Sequence, residues 1–251
     1  AGLSPRPFVP DDAAARSARC HEIFSIQTAG LAKRIEHAGA KRLVVGVSGG
    51  ADSATMTSSS AAKITASDVP LAVTMPGFGT SRRTRGNAAK LAAKLGAELR
   101  TIPIGPAVLR HFKDIGHDPE RRNVVYENAQ ARERTQILMD LANAEGGLLV
   151  GTGDLSEIAL GWCTFNGDHM SMYNVNASVP KTLIRDLVEH HASVSEPGLA
   201  TVLRDVILTP VSPELLPGDQ HTEAVLGRYE LHDFFLYYFM KFGETPEGLA
   251  A

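Results

Sequence analysis

Val45-Gly46-Val47-Ser48-Gly49-Gly50-Ala51-Asp52-Ser53 closes an apolar run, residues 43–47, with a Gly-Gly turn flanked by hydroxyls, then an acidic residue, then helix-compatible sequence. That order predicts a strand, a tight loop and a helix start. Glycines let backbone N–H groups approach an anion without a Cβ in the way, and a helix N-terminus adds positive potential. Ser48 and Ser53 add hydroxyl donors, so the loop reads as a cradle for phosphate oxygens. Asp52 is out of place in an anion nest unless a cation sits there too, and magnesium with a polyphosphate satisfies both. The competing reading is an ordinary strand-to-helix turn. Gly-Gly alone would favour it; six residues in this order after a buried-type strand favour the phosphate loop.

Working outward, residues 1–12 carry prolines at 5, 7 and 10 and read as an extended lead-in. Ile23, Ile26, Leu31 and Ile35 are spaced for an amphipathic helix over 13–38. Residues 71–75 form a second buried-type strand ended by Pro76-Gly77, 84–95 a helix closed by Gly96, and 99–104 a third strand. A long helix over 127–144 ends at Gly146-Gly147. A fourth strand, 148–150, then runs into Gly151-Thr152-Gly153-Asp154. The helix after the first loop is weakly specified, because 55–60 is rich in Ser and Thr. Residues 193–218, with scattered prolines and glycines, are expected to be irregular, ahead of an apolar helix over 229–242. Alternating strands and helices predict an α/β fold with a doubly wound parallel sheet covered on both faces. Ligands gather beyond the carboxyl ends of such strands, and both glycine-rich segments follow strands, which puts them on one edge.

Composition narrows the class. The chain has 251 residues and is 43% apolar, enough for one large α/β domain or two small ones. We expect one domain over 1–251, divided into a lead-in and helix (1–40), a nucleotide-binding core (41–192) and a C-terminal segment (193–251). A net charge of −3 offers nothing to nucleic acid or a membrane surface. Two cysteines, Cys20 and Cys163, lie far apart without metal spacing, which fits a reduced, cytoplasmic compartment. No apolar stretch is long enough to span a bilayer.

Other segments read less sharply from the residues alone. Asn128 and Arg132 are four apart on the long helix and share a face able to read a carboxylate, phosphate or ring edge. A solvated charged face, with Glu133 and Arg134 as ordinary surface residues, is the stronger reading from composition. Thr152 is well placed as a hydroxyl ligand, Asp154 as a cap, and Glu157 projects from the first turn; caps and a macrodipole partner explain the last two equally well. Asn166-Gly167-Asp168-His169 is a turn signal. Lys181, at the start of a helix after Pro180, could reach a phosphate, although such lysines are usually solvent-facing. Trp162 and Phe165 fit a core role as readily as stacking on a heterocycle. His190-His191 has no partner at ligand spacing, so no metal site is expected there.

Ser48–Ser53 resembles the pyrophosphate loop of the N-type ATP pyrophosphatases, the adenine nucleotide alpha hydrolase-like fold. With Met75-Pro76-Gly77-Phe78-Gly79-Thr80, residues 126–134, 151–162, 178–183, 212–217 and 229–235, the chain resembles NAD synthetase, specifically the synthetase domain of the glutamine-dependent enzymes. The resemblance implies ligation of ammonia to deamido-NAD through an adenylate, with ATP as substrate and Mg2+ as cofactor, in a homodimer or higher homo-oligomer. By motif, Gly46, Ser48, Gly49, Gly50 and Ser53 cradle the ATP phosphates, and Asp52 and Glu157 bind magnesium. Thr152, Lys181 and Ser212 contact ATP or the adenylate. Asn128, Arg132, Glu157 and the segment Trp162, Cys163, Thr164, Phe165, with Asp168 nearby, bind deamido-NAD. Asp52, Lys181 and Glu157 are the expected catalytic residues.

The chain also departs from that pattern. It leaves no room for the N-terminal glutaminase domain with its Glu-Lys-Cys triad, so ammonia is the expected donor, delivered free or by a separate glutaminase. It stops before the basic segment that follows the last helix in relatives, and residues 53–75 are shorter and more polar than usual. The alternatives are another pyrophosphate-loop amidotransferase, such as a GMP synthetase relative, and a non-catalytic nucleotide-binding module.

Overall fold

The structure, a computed structural model, describes residues 3–51, 69–209, 212, 214–218 and 222–250. Among them lie helix α1 (Ala13–Ala38) and strands β1 (Leu43–Gly46) and β2 (Leu71–Thr74). Helix α2 (Arg82–Lys94), strand β3 (Glu98–Thr101), helices α3 (Gly105–Ile115) and α4 (Val124–Ala144) and strand β4 (Leu148–Gly151) follow. The rest is α5 (Leu155–Leu160), β5 (Tyr173–Asn174), α6 (Lys181–Val194), α7 (Pro197–Ile207), α8 (Thr222–Leu226), α9 (Tyr229–Phe242) and α10 (Pro246–Ala250).

All strand pairs are parallel, in the order β3-β2-β1-β4-β5. The expected doubly wound sheet is thus present, and its side chains divide with a period of two. Leu43, Val45, Val47, Ala72, Leu148 and Val150 pack against α1, α2, α6 and α7. Val44, Leu71, Val73 and Leu149 face the opposite side, against Val108 and Phe112 of α3 and Tyr126, Ala129 and Ala142 of α4. Burial on both faces is why these strands read as unbroken apolar runs.

Order reverses between β1 and β4: the chain winds outward from β1 through β2 to β3, then returns to lay β4 on the other flank of β1. This topological switch leaves a crevice beyond the carboxyl ends of the two central strands. At the opposite end of the sheet, Arg42 ties three entries together. Its guanidinium donates to Val69 O (2.8 Å), to Glu145 (2.9 Å) and to Glu98, and Arg100 also reaches Glu145 (3.1 Å).

Several expectations shift. Two helix starts move earlier, because Ser81 caps α2 and Asn123 caps α4 through side-chain oxygens. The third strand spans Glu98–Thr101 and ends before Ile102, which the expected range included. Helix α3 and strand β5 were not anticipated. The irregular segment expected over 193–218 is overturned in its first half, where Pro197–Ile207 is a helix with Pro197 in its first turn; the described residues from 208 to 218 hold no helix or strand. Glu196 is the N-cap of that helix, its carboxylate accepting from Gly198 N and Leu199 N at 2.7 Å each. Proline at a helix start uses a position whose N–H would be unpaired in any case. The weakly specified helix over 55–60 lies outside the described residues.

Candidate functional site

A cavity of about 1210 Å³ fills the crevice at the switch point. Gly46, Val47, Ser48, Gly49, Gly50 and Ala51 form one wall, directly after β1. Gly49 has φ +76°, in the left-handed region, and a Cβ there would sit 2.5 Å from Thr84 O. At Gly46 a Cβ would come within 2.9 Å of the Leu138 side chain, so α4 closes over the strand end. Gly49 is thus required by space and by backbone angle, whereas at Gly46 the Leu138 side chain would have to move aside. Asp52 and Ser53 lie outside the described residues.

The wall after β4 holds the charged centre. Lys181 Nζ lies 2.6 Å from Asp154 Oδ2 and 2.8 Å from Glu157 Oε1, and the lysine side chain is only 8% exposed. Lys181 thus departs from the solvent-facing habit of lysines at helix starts, and a buried ammonium requires such partners. Asp154 and Glu157 also form a capping box on α5, with Glu157 N donating to Asp154 Oδ1 (2.9 Å) and Asp154 N to Glu157 Oε2 (3.3 Å). Structural and charge-pairing uses of these residues thus coexist. Thr152 opens on the same cavity. Its carbonyl accepts from Asn176 Nδ2 (3.4 Å) and the Gly153 carbonyl from Asn174 Nδ2 (2.8 Å), while Gln27 of α1 donates to Asn176 Oδ1 (3.0 Å). This chain of amides holds the post-β4 turn rigid.

Of the remaining predicted residues, Asp168 and Ser212 line the cavity, and Asn128, Arg132 and residues 162–165 are not part of its lining. Thr164 Oγ1 donates to Asn128 Oδ1 (2.8 Å), Arg132 Nε to Phe165 O (3.0 Å) and Thr164 N to Asp168 Oδ1 (2.7 Å). Asn128, Arg132, Thr164, Phe165 and Asp168 therefore form one shelf, and Asp168 also lines the cavity. Phe165 is 73% exposed and stacks on His169, which rules out the core role weighed for it. Trp162 is half-buried, and Cys163 next to it is exposed. Asn166 has φ 55°, consistent with the turn read there. Ser212 lines the cavity and accepts from Glu214 N (3.2 Å).

Arg134, Gln130 and Glu214 were missed as site residues. Arg134, read as an ordinary surface residue, lines the cavity; its Nε donates to Met75 O (3.1 Å) and its Nη2 to Thr80 Oγ1 (3.5 Å). Desolvation lowers its pKa, with Glu214 and Asp168 acting the other way. Gln130 is fully buried, accepting from Phe78 N (3.0 Å) and donating to Leu215 O (2.7 Å). It thereby pins both the loop after β2 and the 214–216 segment. Glu214, with φ 49°, accepts from Thr84 Oγ1. The available signal was the four-residue spacing of Gln130 and Arg134, which turns them to one side of α4 while Arg132 faces out.

Among the described residues no group of three or more His, Cys, Asp or Glu could hold a metal ion, and no helix is long and apolar enough to cross a membrane. What the cavity brings into one lining is a glycine-rich loop after β1 and a buried lysine paired with two carboxylates.

Residues 23–250 match the NAD synthase family. The chain is 40% identical over 260 residues to a glutamine-dependent NAD(+) synthetase of Mycobacterium leprae, covering 97% of this chain and 38% of that protein. It is 31% identical to an NH(3)-dependent NAD(+) synthetase of Hyperthermus butylicus, covering 92% of this chain and 82% of that one. A solved glutamine-dependent NAD+ synthetase of Acinetobacter baumannii, in complex with adenosine diphosphate, superposes with a TM-score of 0.69 at 26% identity. That superposition covers 92% of this chain and 43% of the other. The chain thus spans well under half the length of its glutamine-dependent relatives.

Proposed function

The chain belongs to the NAD synthase family, and from that premise we propose that it converts deamido-NAD to NAD with ATP and ammonia, releasing AMP and pyrophosphate. The observation that carries the reading is the meeting of the Ser48–Gly50 cradle with the Lys181–Glu157 pair across one cavity at the strand switch. A nicotinate carboxylate oxygen attacks the α-phosphorus of ATP; the bond from that phosphorus to the bridging oxygen breaks and pyrophosphate leaves. Ammonia then attacks the acyl carbon, AMP departs with the carboxylate oxygen, and the nitrogen loses a proton. Activation is needed because a free carboxylate is a poor electrophile, and catalysis is largely positioning and charge stabilisation.

In this reading Gly46, Ser48, Gly49, Gly50 and Ser53 hold the polyphosphate, with Thr152, Ser212 and Lys181 around the reacting phosphate. Lys181 places a cation where negative charge develops, and Arg134 offers a second from the α4 side. Asn128, Arg132, Trp162, Cys163, Thr164, Phe165 and Asp168 form the shelf for deamido-NAD. Magnesium fits the donor chemistry: Glu157 lines the cavity, and its carboxylate oxygens, which accept from Lys181 Nζ and Asp154 N, each have a second lone pair suited to a hard cation. Asp52 and Glu157 would hold it, and it would offset charge on the phosphates. A homodimer is part of the same proposal.

The test mixes the chain with ATP, magnesium, deamido-NAD and ammonium, and follows pyrophosphate and NAD. Pyrophosphate that depends on deamido-NAD, with NAD in equal amount, is expected. Pyrophosphate release indifferent to deamido-NAD would rule the substrate out, and no release at all would leave a nucleotide-binding module.

A further inference from the structure

Helix α6 carries the buried lysine as its first residue, yet has no cap of its own. Its N-cap is Pro180, which makes no side-chain hydrogen bond. The first N–H groups of any helix lack intrahelical partners and must find others. Here two of them find partners on other helices. Lys181 N donates to Ser156 Oγ on α5 (2.9 Å), and Thr182 N donates to Asp233 Oδ2 on α9 (2.9 Å). Ser156 Oγ in turn donates to Asp233 Oδ1. One carboxylate, 1% exposed, thus closes a ring through three helices and sits at the positive end of a 14-residue helix.

The same helix also touches the far end of the lysine. Tyr229, one turn before Asp233 on α9, has its ring 5.6 Å from Lys181 Nζ and is itself buried. Tyr229 N donates to Glu223 (3.0 Å), so α8 fixes the start of α9. Helix α9, an element outside the sheet and its two strand-end loops, therefore reaches the Lys181 backbone through Ser156 and the ammonium through the Tyr229 ring, while Asp154 and Glu157 hold the charge itself.

We infer that Asp233 is a positioning residue for Lys181, acting through Ser156 and the N-terminus of α6. The inference rests on the proposed role of Lys181 at the reacting phosphate. Without the Asp233 carboxylate, Ser156 loses the acceptor for its O–H and swings, and the first turn of α6 loses its external cap. The ammonium then shifts against the phosphate loop, and displacement of about 1 Å in an oriented site is enough to slow chemistry about 100-fold.

Two variants test this, Asp233→Asn and the gentler Ser156→Ala, which keeps the bond from Thr182 N. Each is compared with the parent for steady-state pyrophosphate release, for thermal midpoint, and for acylation of individual lysines by a small amine-reactive reagent read by mass spectrometry. Both variants are expected to lower kcat about 10- to 100-fold with KM for ATP changed less than about threefold. Labelling of Lys181 should rise about tenfold relative to the exposed Lys33 and Lys94. Unchanged labelling of Lys181 in both variants, or an equal rise at buried and exposed lysines alike, would overturn the inference and leave Asp233 a general stabiliser. Labelling does not depend on turnover. A parent that releases no pyrophosphate while the variants expose Lys181 would therefore sink the proposed reaction and not the positioning.

Discussion

Gly49 shows what one missing atom decides. Its left-handed backbone and the 2.5 Å approach that a Cβ would make to Thr84 O leave alanine no comfortable conformation. Gly49→Ala is expected to destabilise the chain by about 1–3 kcal/mol and to reduce kcat/KM for ATP by at least about 100-fold. Gly50, where a Cβ would meet nothing nearer than Ser48 Oγ at 3.5 Å, is the control: Gly50→Ala should leave the thermal midpoint nearly unchanged. Calorimetry and pyrophosphate release read both. Two arginines on α4 should separate by kinetics. Arg132, on the shelf, should as alanine raise KM for deamido-NAD more than KM for ATP. Arg134, held inside the cavity by Met75 O, should as lysine lose kcat by about tenfold or more, because an ammonium cannot reproduce the planar fork. Equal effects on both substrates from Arg132→Ala, or full kcat in Arg134→Lys, would contradict the placements. Their difference was hard to see in the sequence: a single residue, Glu133, separates them, and a charged run reads the same whether one face is wet or both are.

At the scale of elements, α6 and α1 meet through His190, His191 and Phe24, with ring centroids 6.3 and 5.7 Å apart. Burial lowers both imidazole pKa values, with His21 adding to the effect at His190 and His190 at His191. Above the ordinary value of 6.5 the folded and unfolded rings are alike neutral, and their packing is fully available. As pH falls below it, the unfolded chain binds protons that the folded rings take up only at lower pH, so stability drops. The thermal midpoint should decline by a few degrees between pH 6.5 and about 5.5, and the double variant His190→Gln/His191→Gln should flatten that slope. A parent midpoint that rises on acidification would refute the assignment. Glu98, Glu145 and Glu196 have lowered pKa values from their hydrogen bonds and act below the ordinary carboxylate value of 4.5, outside this window. The elements themselves were largely legible: buried strands as apolar runs, α1 as periodic spacing and α4 as a long helix closed by Gly146-Gly147. Helix α7 was not, because Pro197 and Gly198 look like loop residues until Glu196 is seen capping them.

For the whole molecule, the nitrogen donor is the sharpest prediction. A glutaminase needs an activated thiol. Cys20 is fully buried, its thiol pushed up to about 11 by burial and by Asp186. The Cys163 thiol is also raised, by burial and then by Asp168 and Glu157. Neither thiol is a ready nucleophile at neutral pH. The purified chain should make NAD with ammonium and not with glutamine, and Cys20→Ser/Cys163→Ser should keep that activity. Glutamine-driven synthesis abolished in the double variant would require a second active site. The sequence by itself determined the alternation of strands and helices, the glycine-rich loop after β1 and the shared edge of both glycine-rich turns. Those follow from local spacing and from the steric freedom of glycine. Only the tertiary structure decided that Lys181 is buried between Asp154 and Glu157, that Arg134 points inward, and that Asp233 caps a helix 51 residues earlier. Such partners are set by chain crossings and by the need of buried polar groups to be paired, which no local window contains.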